Sequence, residues 1–209
     1  MLRSLLQIVN KIRFSSDKYW EIRYKNGGNS GSGSYDKKAE YKAKILNLII
    51  DKYSIVNLIE FGCGDGNNLG YYDIDLYTGL DVSQAAIKLC INKYKDDKKK
   101  SFLYYDPKLF KSGGLKAELT ISFEVIFHLI ENSVYEKYMF DLFNTSSRYV
   151  LIFSSDSDNI KDEAIHVKHR KFTKDIPGSF KLIEKIQTPQ DGYLNGFFSN
   201  FYLFERISA

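Results

Sequence analysis

Apolar residues along this 209-residue chain form short continuous runs that alternate with longer stretches of helical spacing. Residues 35–51 carry apolar positions three or four apart, which predicts an amphipathic helix. Residues 55–61 form an unbroken β-rich run, which is typical of a strand buried on both faces. The same criteria predict strands over residues 76–81, 102–105, 119–123 and 149–153. They also predict a helix over residues 84–94 and a second helix that is capped by residue 132 or 133 and ends near residue 143. Two late strands, over residues 180–187 and 197–204, are of the hairpin type.

Alternating strands and helices predict an α/β fold with a parallel sheet, helices on both faces and right-handed crossovers. An apolar share of 44% and an aromatic share of 15% are typical of such a packed chain. In these sheets ligands bind beyond the carboxyl ends of the strands. The residues that follow each predicted strand are therefore the candidates for a functional site.

Charge and cysteine content narrow the function classes. The formal net charge of +4 is smaller than that of most nucleic-acid binders, so we expect no nucleic-acid partner. Cys63 and Cys90 lie in segments predicted to be buried, which indicates reduced thiols and a cytoplasmic protein. The first 14 residues are apolar but interrupted by Lys11 and Arg13, which predicts no membrane span. We expect a helix docked on the domain or on a second subunit of a homodimer; a membrane-surface helix is the alternative.

Residues 27–34, GGNSGSGS, form the Gly/Ser loop and follow an aromatic segment that contains Trp20 and Tyr24. Anchored aromatic residues favour a lid that closes over a ligand, whereas a free linker would not need them. The sequence thus predicts an N-terminal helical segment and lid over residues 1–34 and a main domain over 35–209. Arg23 and Tyr35 are expected to reach a bound ligand from this lid.

The stretch VNLIEFGCGDGNNL places Gly62, Gly64 and Gly66 directly after the first predicted strand. A glycine-rich turn exposes bare N–H groups to an anionic or polar ligand. The dinucleotide fingerprint requires a sixth-position glycine, and Asn67 stands there instead. Glu60, inside the strand, would repel a pyrophosphate but could receive a cationic group. The pattern therefore favours a nucleoside ligand without a diphosphate.

Two acids end the next strands. A carboxylate at Asp81 can accept hydrogen bonds from both hydroxyls of a ribose. Asp106 ends the third predicted strand, where it could accept from the exocyclic amine of a purine. Each acid alone is more often a turn residue. A glycine loop followed by both acids, in this order and spacing, is not accounted for by turn formation alone and therefore supports a nucleoside ligand.

The strings EFGCGDG and YTGLDVS resemble the first two motifs of class I S-adenosylmethionine-dependent methyltransferases. This resemblance implies a Rossmann-like, seven-stranded, mostly parallel sheet with an antiparallel C-terminal strand, and S-adenosyl-L-methionine as cofactor. Glu60 would belong to the network around the methionine end. The cofactor contacts that it implies are Glu60, Gly62, Gly64, Gly66, Asp81, Val82, Asp106 and Glu124.

The N-terminal string WEIRYKNGGNSGSGSY resembles small methyltransferases that modify bacterial capsular and surface polysaccharides. That second resemblance implies O-methylation of a phosphoramidate or a sugar in capsule biosynthesis. The segment SFEVIFHLIEN lacks the Asp/Asn-Pro-Pro-aromatic tetrapeptide that holds an amide nitrogen in this fold, which disfavours amino-methylation of bases or of glutamine. His128, four residues after Glu124, is predicted either to remove a proton from a hydroxyl or to pack beneath the cofactor.

A basic cluster follows the fifth predicted strand. His166, His169 and Arg170 are expected to receive an anionic acceptor, with His169 and Arg170 acting in catalysis. An exposed loop with incidental charge is the alternative. Asp156 and Asp158 lie nearby, but two acids without a third ligand indicate an Asp-rich turn, so we expect no metal.

Together these patterns predict a methyltransferase that acts on an oxygen of a small anionic acceptor: phosphorylated, a phosphoramidate or a sugar nucleotide. Two alternatives stay open. A tRNA or protein methyltransferase would show a broad basic face, and a non-catalytic S-adenosylmethionine-binding module would keep the pocket without turnover.

Overall fold

The computed structural model describes residues 14–161 and 164–207, so the helix predicted at the N-terminus lies outside the described residues except for Phe14. The helices are α1 (Ser16–Lys25), α2 (Asp36–Tyr53), α3 (Gln84–Lys93) and α4 (Asn132–Thr145). The strands are β1 (Asn57–Phe61), β2 (Leu76–Asp81), β3 (Lys100–Tyr104), β4 (Ala117–Phe123), β5 (Ser146–Ser154), β6 (Phe180–Ile186) and β7 (Asn200–Arg206). Within the described ranges, no helix is both long and apolar enough to cross a membrane.

All seven strands join one sheet in the order β3-β2-β1-β4-β5-β7-β6. Strands β1 to β5 run parallel, whereas β7 is antiparallel to both β5 and β6. The chain reverses its direction of winding between β1 and β4, and ligands bind in the crevice that such a reversal opens. The predicted α/β architecture, including the antiparallel C-terminal strand, is confirmed.

The central strands of the sheet are buried on both faces because alternate strand residues enter two separate cores. Leu58 packs with α2 and α3 residues such as Leu46 and Ile87. Its neighbour Ile59 points to the other face, where Leu142 of α4 belongs to the second core. Burial on both faces explains why the strands appear in the sequence as continuous apolar runs.

Helix ends explain where the predicted boundaries fail. Strand β1 begins at Asn57 because Ser54 adopts a left-handed φ of 51° and the Ile55 N–H bonds the Ile50 carbonyl, which closes α2. The predicted cap of α3 is confirmed, since Ser83 Oγ accepts a hydrogen bond from the Ala86 N–H. The cap predicted for α4 is wrong, because that helix begins at residue 132 without a side-chain cap.

Glu131, which precedes α4, instead joins this helix to α1. Its carboxylate accepts hydrogen bonds from the Ser16 backbone N–H at 3.0 Å and from Ser16 Oγ at 2.5 Å. Further along α1, the Glu21 carboxylate accepts hydrogen bonds from Ser83 Oγ at 2.7 Å and from the Ala85 N–H at 3.1 Å. A carboxylate at the start of α3 also opposes the positive end of that helix. Helix α1 is thus fixed across the carboxyl edge of the sheet.

Candidate active site

A cavity of about 680 Å³ opens at the carboxyl ends of β1 to β4, which is the size range of small-molecule sites. Helix α1 and the Gly/Ser loop form its outer wall, and the loops that follow the strands form its floor. Of the residues predicted from the sequence, the lining includes Arg23, Gly62, Gly64, Asp81, Val82, Asp106, Glu124, His128 and His166.

The glycine loop after β1 is needed for close approach of other chain segments. Gly62 and Gly64 adopt positive φ angles of 81° and 57°, which glycine tolerates best. A Cβ at Gly62 would clash with Val125, and one at Gly64 would clash with Ser30 of the Gly/Ser loop. Gly66 faces the interior, where a Cβ would lie 3.0 Å from Cys90 Sγ. Gly62 and Gly64 also line the cavity, whereas Gly66 does not.

Asp81 organises the floor of the cavity. Its carboxylate accepts hydrogen bonds from the Gly64 N–H at 2.9 Å and from the Ser83 N–H at 2.8 Å. Burial raises the pKa of Asp81 to about 6, although these two donors oppose the shift. Asp106 follows the neighbouring strand and lines the same cavity, with its carboxylate bonded to the Lys108 N–H at 2.9 Å. The two acids meet at one edge, as their positions after parallel strands predicted.

The two predicted glutamates occupy different environments. Glu60 is 2% exposed and accepts hydrogen bonds from Tyr77 at 2.6 Å and from Tyr72 at 3.3 Å. Burial raises its pKa to about 7. Glu60 therefore lies behind the cavity wall among tyrosines. Glu124 lines the cavity in a left-handed conformation with φ of 59° and pairs at 3.0 Å with Lys42, which is fully buried.

His128 lies on a short 3₁₀ turn after β4. Its Nδ1 is 2.8 Å from the His166 carbonyl oxygen, which can only accept, so Nδ1 carries the hydrogen and Nε2 is an unprotonated acceptor. Burial lowers the pKa of His128 to about 4. Trp20 packs edge-on against this ring with centroids 5.0 Å apart. A neutral imidazole with so low a pKa orients a hydroxyl better than it removes a proton from one.

Aromatic contacts hold the second histidine of the cavity. His166 stacks between Tyr19, at a centroid distance of 4.6 Å, and His128, at 5.4 Å. Burial, followed by the charge of Arg23, lowers the pKa of His166. The Arg23 guanidinium lies over Trp20 at 5.6 Å and also contributes to the low pKa of His128. One cation and two neutral imidazoles thus share this side of the cavity.

Arg170 and His169 are not among the lining residues, and the acceptor contact predicted for them gains no support from the geometry. Arg170 is 7% exposed and donates hydrogen bonds to the Ile130 carbonyl at 3.1 Å and to Asn132 Oδ1 at 3.2 Å. Its guanidinium also stacks over Tyr135 at 4.6 Å. The planar guanidinium group of Arg170, which could bind a phosphate, instead donates its hydrogen bonds to a backbone oxygen and an amide oxygen at the start of α4.

His169 packs between the segment after β5 and the turn after β4. Its Nδ1 lies 2.7 Å from Ser155 Oγ, and its ring contacts Phe127 with centroids 5.6 Å apart. From the predicted basic cluster, only His166 faces the cavity. Sequence spacing alone does not distinguish these histidines, because a loop without regular periodicity hides which side chain turns inward.

Asp65, which the sequence analysis did not single out, fastens the Gly/Ser loop to the glycine loop. Its carboxylate accepts hydrogen bonds from the Ser30 N–H at 3.0 Å and from the Tyr35 hydroxyl at 2.5 Å. In return, Ser30 Oγ accepts from the Asp65 N–H at 3.1 Å and pairs with Tyr24 at 2.9 Å. Tyr35 therefore supports the loop from outside the cavity lining. The signal that was available is an acid between two glycines, a position exposed to any segment that covers the loop.

The acids after β5 have structural partners. Asp156 accepts from the Thr173 N–H at 3.0 Å, and Asp158 accepts from the Lys171 N–H at 3.1 Å. The part of the chain that the structure describes holds no group of three or more His, Cys, Asp or Glu side chains able to bind a metal. Both acids therefore fit the predicted turn.

The sheet order, the antiparallel last strand and the glycine loop at the carboxyl edge define the fold of class I S-adenosylmethionine-dependent methyltransferases. Solved structures with this fold include the N-methyltransferase NodS from Bradyrhizobium japonicum WM9 in complex with S-adenosyl-L-homocysteine. The TM-score is 0.72 and the identity 15%, over 93% of this chain and 100% of that one.

Magnesium protoporphyrin IX methyltransferase (ChlM) from Synechocystis PCC 6803, with bound S-adenosylmethionine, matches with a TM-score of 0.63 and 13% identity over 93% of this chain and 98% of that one. An S-adenosylmethionine-dependent methyltransferase from Clostridium acetobutylicum ATCC 824 matches with a TM-score of 0.60 and 12% identity, over 83% of this chain and 93% of that one. No family model and no curated protein matches the sequence. At these identities the likeness establishes the fold.

Proposed function

We propose that this protein is an S-adenosylmethionine-dependent methyltransferase that moves a methyl group to an oxygen of a small anionic acceptor. The observation that carries the proposal is one cavity with two chemically distinct sides. The cofactor half consists of Gly62, Gly64, Asp81, Val82 and Asp106. The acceptor half consists of Trp20, Arg23, His128 and His166.

The residues of the cofactor half fit an adenosyl compound. The Asp81 carboxylate would accept hydrogen bonds from the ribose hydroxyls, and the Asp106 carboxylate would accept one from the adenine amine. Val82 would pack against the base. The glycine loop lets the remainder of the molecule lie against backbone. Bound S-adenosylmethionine or S-adenosylhomocysteine in two of the similar structures supports this assignment. The cofactor supplies an electrophilic methyl group on a sulfonium.

The acceptor half fits an anion beside an oxygen nucleophile. The Arg23 guanidinium can form paired hydrogen bonds with phosphate or carboxylate oxygens. His128 Nε2 would accept a hydrogen bond from an acceptor hydroxyl and hold the oxygen in line with the methyl group. A phosphate or phosphoramidate oxygen would need no base at all. Helix α1 and the Gly/Ser loop would exclude water from the reaction.

The resemblance of the N-terminal string to polysaccharide-modifying methyltransferases supports a cytoplasmic role in capsule biosynthesis, with a phosphoramidate or a sugar nucleotide as acceptor. In this proposal Arg23 takes the role that the sequence suggested for Arg170. Arg170 and His169 instead stabilise the loop that carries His166.

Calorimetric titration with S-adenosylhomocysteine tests the cofactor half, and methyl transfer to a panel of phosphorylated, phosphoramidate and sugar-nucleotide acceptors tests the acceptor half. We expect Arg23→Ala to raise KM for an anionic acceptor about tenfold or more while the affinity for S-adenosylhomocysteine stays unchanged. Arg148→Ala, which removes an arginine paired with Glu118 at 3.0 Å, is the matched control. Methyl transfer to nitrogen alone, or binding without any turnover, would contradict the proposal.

A further inference from the structure

A surface outside the cavity combines exposed aromatic rings with two lysines. We call it the outer patch, and it consists of Lys37, Lys38, Tyr193, Phe197 and Phe198. Lys37 Nζ lies 5.6 Å from the centroid of the Tyr193 ring. Lys38 Nζ lies 4.6 Å from the centroid of the Phe197 ring. Tyr193 is 50% exposed and Phe198 is 57% exposed. Single exposed rings are ordinary, but here several rings close in sequence lie beside two cations, which indicates a binding surface.

The loop between β6 and β7, residues 187–199, carries these rings to the carboxyl edge of the sheet. The first residue of β7 pairs with the last residue of β5, so this loop lies at the same edge as the cavity. Gln190 Nε2 donates a hydrogen bond to the Phe197 carbonyl at 2.8 Å. The Phe197 ring packs against Phe153 with centroids 5.6 Å apart. Phe197 thus anchors the loop, and the adjacent Phe198 is left exposed.

The outer patch continues the acceptor half of the cavity. Both lysines belong to the first turn of α2, and that helix begins two residues after the cavity-lining Ser34. On the other side, the His169 ring contacts Phe198 with centroids 6.4 Å apart. The same ring lies 5.6 Å from that of Phe127, which lines the cavity. An acceptor longer than the acceptor half therefore extends onto the outer patch.

The charges of the two lysines are not neutralised by ion pairs. In the part of the chain that the structure describes, neither Lys37 nor Lys38 forms a salt bridge. Lys52, at the other end of α2, also lies over a ring, that of Tyr53, but it is paired with Glu184 at 3.0 Å. An ammonium group held over a ring keeps its N–H donors for another partner, and phosphate oxygens are suitable acceptors.

We propose that the outer patch binds the nucleoside diphosphate of a nucleotide-linked acceptor, an inference that rests on the proposed function and selects one of its acceptor classes. Lys37 and Lys38 contact the phosphates, and the base stacks on Phe198. The group that receives the methyl lies in the acceptor half, with Arg23 and His128. A free phosphate or phosphoramidate would contact cations alone and make no use of an exposed ring. Every base has an aromatic face, so stacking recognises a nucleotide carrier without specifying its base.

Calorimetric titrations of the protein saturated with S-adenosylhomocysteine test this inference, because the saturating ligand keeps other nucleosides out of the cofactor half. The probes are the diphosphates of adenosine, guanosine, cytidine and uridine, each titrated separately, and inorganic pyrophosphate, which has two phosphates without a base. We expect at least one nucleoside diphosphate to bind about tenfold more tightly than pyrophosphate. Equal affinity for pyrophosphate and all four nucleotides, or binding of none of them, would overturn the inference.

Variants of the outer patch separate the base from the phosphates. Phe198→Ala should weaken binding of the nucleoside diphosphate about tenfold and leave that of pyrophosphate unchanged. The double variant Lys37→Gln with Lys38→Gln should weaken binding of both probes about tenfold. Phe140→Ala, at an exposed ring on α4, and Lys52→Gln are the matched controls and should change neither affinity. Nucleotide binding that both patch variants leave intact would overturn the assignment.

The affinity for S-adenosylhomocysteine, measured in the same variants, separates binding from structure. It should stay unchanged in all of them, since exposed side chains contribute little to stability. A parallel loss of this affinity would show that the substituted residue acts structurally, against the inference. Methyl transfer to a phosphorylated or phosphoramidate acceptor, by a protein that binds no nucleoside diphosphate, would overturn the inference and support the proposed function. Failure of the unchanged protein to bind S-adenosylhomocysteine would overturn both.

Discussion

The cofactor half and the acceptor half of the cavity differ in how the chain supplies their side chains. In the cofactor half, all five residues lie at or shortly after the carboxyl end of β1, β2 or β3. In the acceptor half, Trp20 and Arg23 come from α1, His128 from the turn after β4, and His166 from the loop after β5. The first half is set by local chain geometry, and the second exists only once distant segments have packed together.

Asp65 connects these two halves. It belongs to the glycine loop of the cofactor half, yet its carboxylate accepts a hydrogen bond from Ser30 of the Gly/Ser loop that follows α1. A ligand that orders the glycine loop would therefore also stabilise the wall of the acceptor half. This arrangement predicts that changes to the cofactor half weaken binding of both the cofactor and the acceptor, whereas changes to the acceptor half weaken binding of the acceptor alone.

The largest effect is expected at Asp81. Asp81→Ala removes the predicted ribose contact and leaves the Gly64 and Ser83 N–H groups without their acceptor. We expect the affinity for S-adenosylhomocysteine to fall at least about 100-fold, measured by calorimetry. Asp158→Ala, at an exposed turn, should leave it unchanged. A small effect at Asp81 would remove the main support for the cofactor half.

The next largest effect is expected from a comparison of Arg170, which is buried outside the cavity, with Arg23, which lines the acceptor half. Arg170→Ala removes buried hydrogen bonds to the Ile130 carbonyl and Asn132, so we expect a loss of about 2–3 kcal/mol in the free energy of unfolding. Arg23→Ala lies at the cavity surface and should cost less than about 1 kcal/mol while raising acceptor KM. Urea unfolding of both variants measures this difference. A stable Arg170→Ala protein with impaired acceptor binding would return Arg170 to the catalytic role that the sequence suggested.

Glu60 should give the protein an unusual pH dependence. Burial raises its pKa from 4.5 to about 7, so between these values the folded protein binds more protons than the unfolded chain. This contribution to stability is complete below pH 4.5 and is lost as pH rises through 7. Between pH 5 and 8 the loss should be about 2 kcal/mol. Glu60→Gln should reduce the pH dependence of urea unfolding by about this amount and leave the contribution of Asp81, whose pKa is also raised, in place. An unchanged pH dependence would show that Glu60 does not contribute to it.

The smallest effect is expected at the connection between the halves. Asp65→Ala frees Ser30 and Tyr35 but leaves the cavity side chains in place. We expect about a tenfold weaker affinity for S-adenosylhomocysteine and faster amide hydrogen exchange over residues 27–34. Asp75→Ala, which removes an exposed pair with Lys99, serves as the control. Unchanged exchange would show that the Gly/Ser loop is held by other contacts.

The sequence was informative where function depends on position along a strand. Buried strands appear as apolar runs, so the sheet, the glycine loop and the acids Asp81 and Asp106 were predictable. Gly66 shared its motif with Gly62 and Gly64, but its inward direction follows from packing against Cys90. The buried position of Arg170 was not predictable, because its hydrogen bonds to the Ile130 carbonyl and to Asn132 Oδ1 leave no pattern in the sequence.

The buried pair of Lys42 and Glu124 has a practical consequence for chemical footprinting. Lys42 has no exposed surface, whereas Lys52 on the same helix has a side chain that is 57% exposed. Acylating reagents should therefore label Lys52 quickly and spare Lys42 for as long as the sheet edge above it stays packed. Mass spectrometry of those two lysines would report whether the carboxyl edge of the sheet stays packed in any variant, without the need for a ligand.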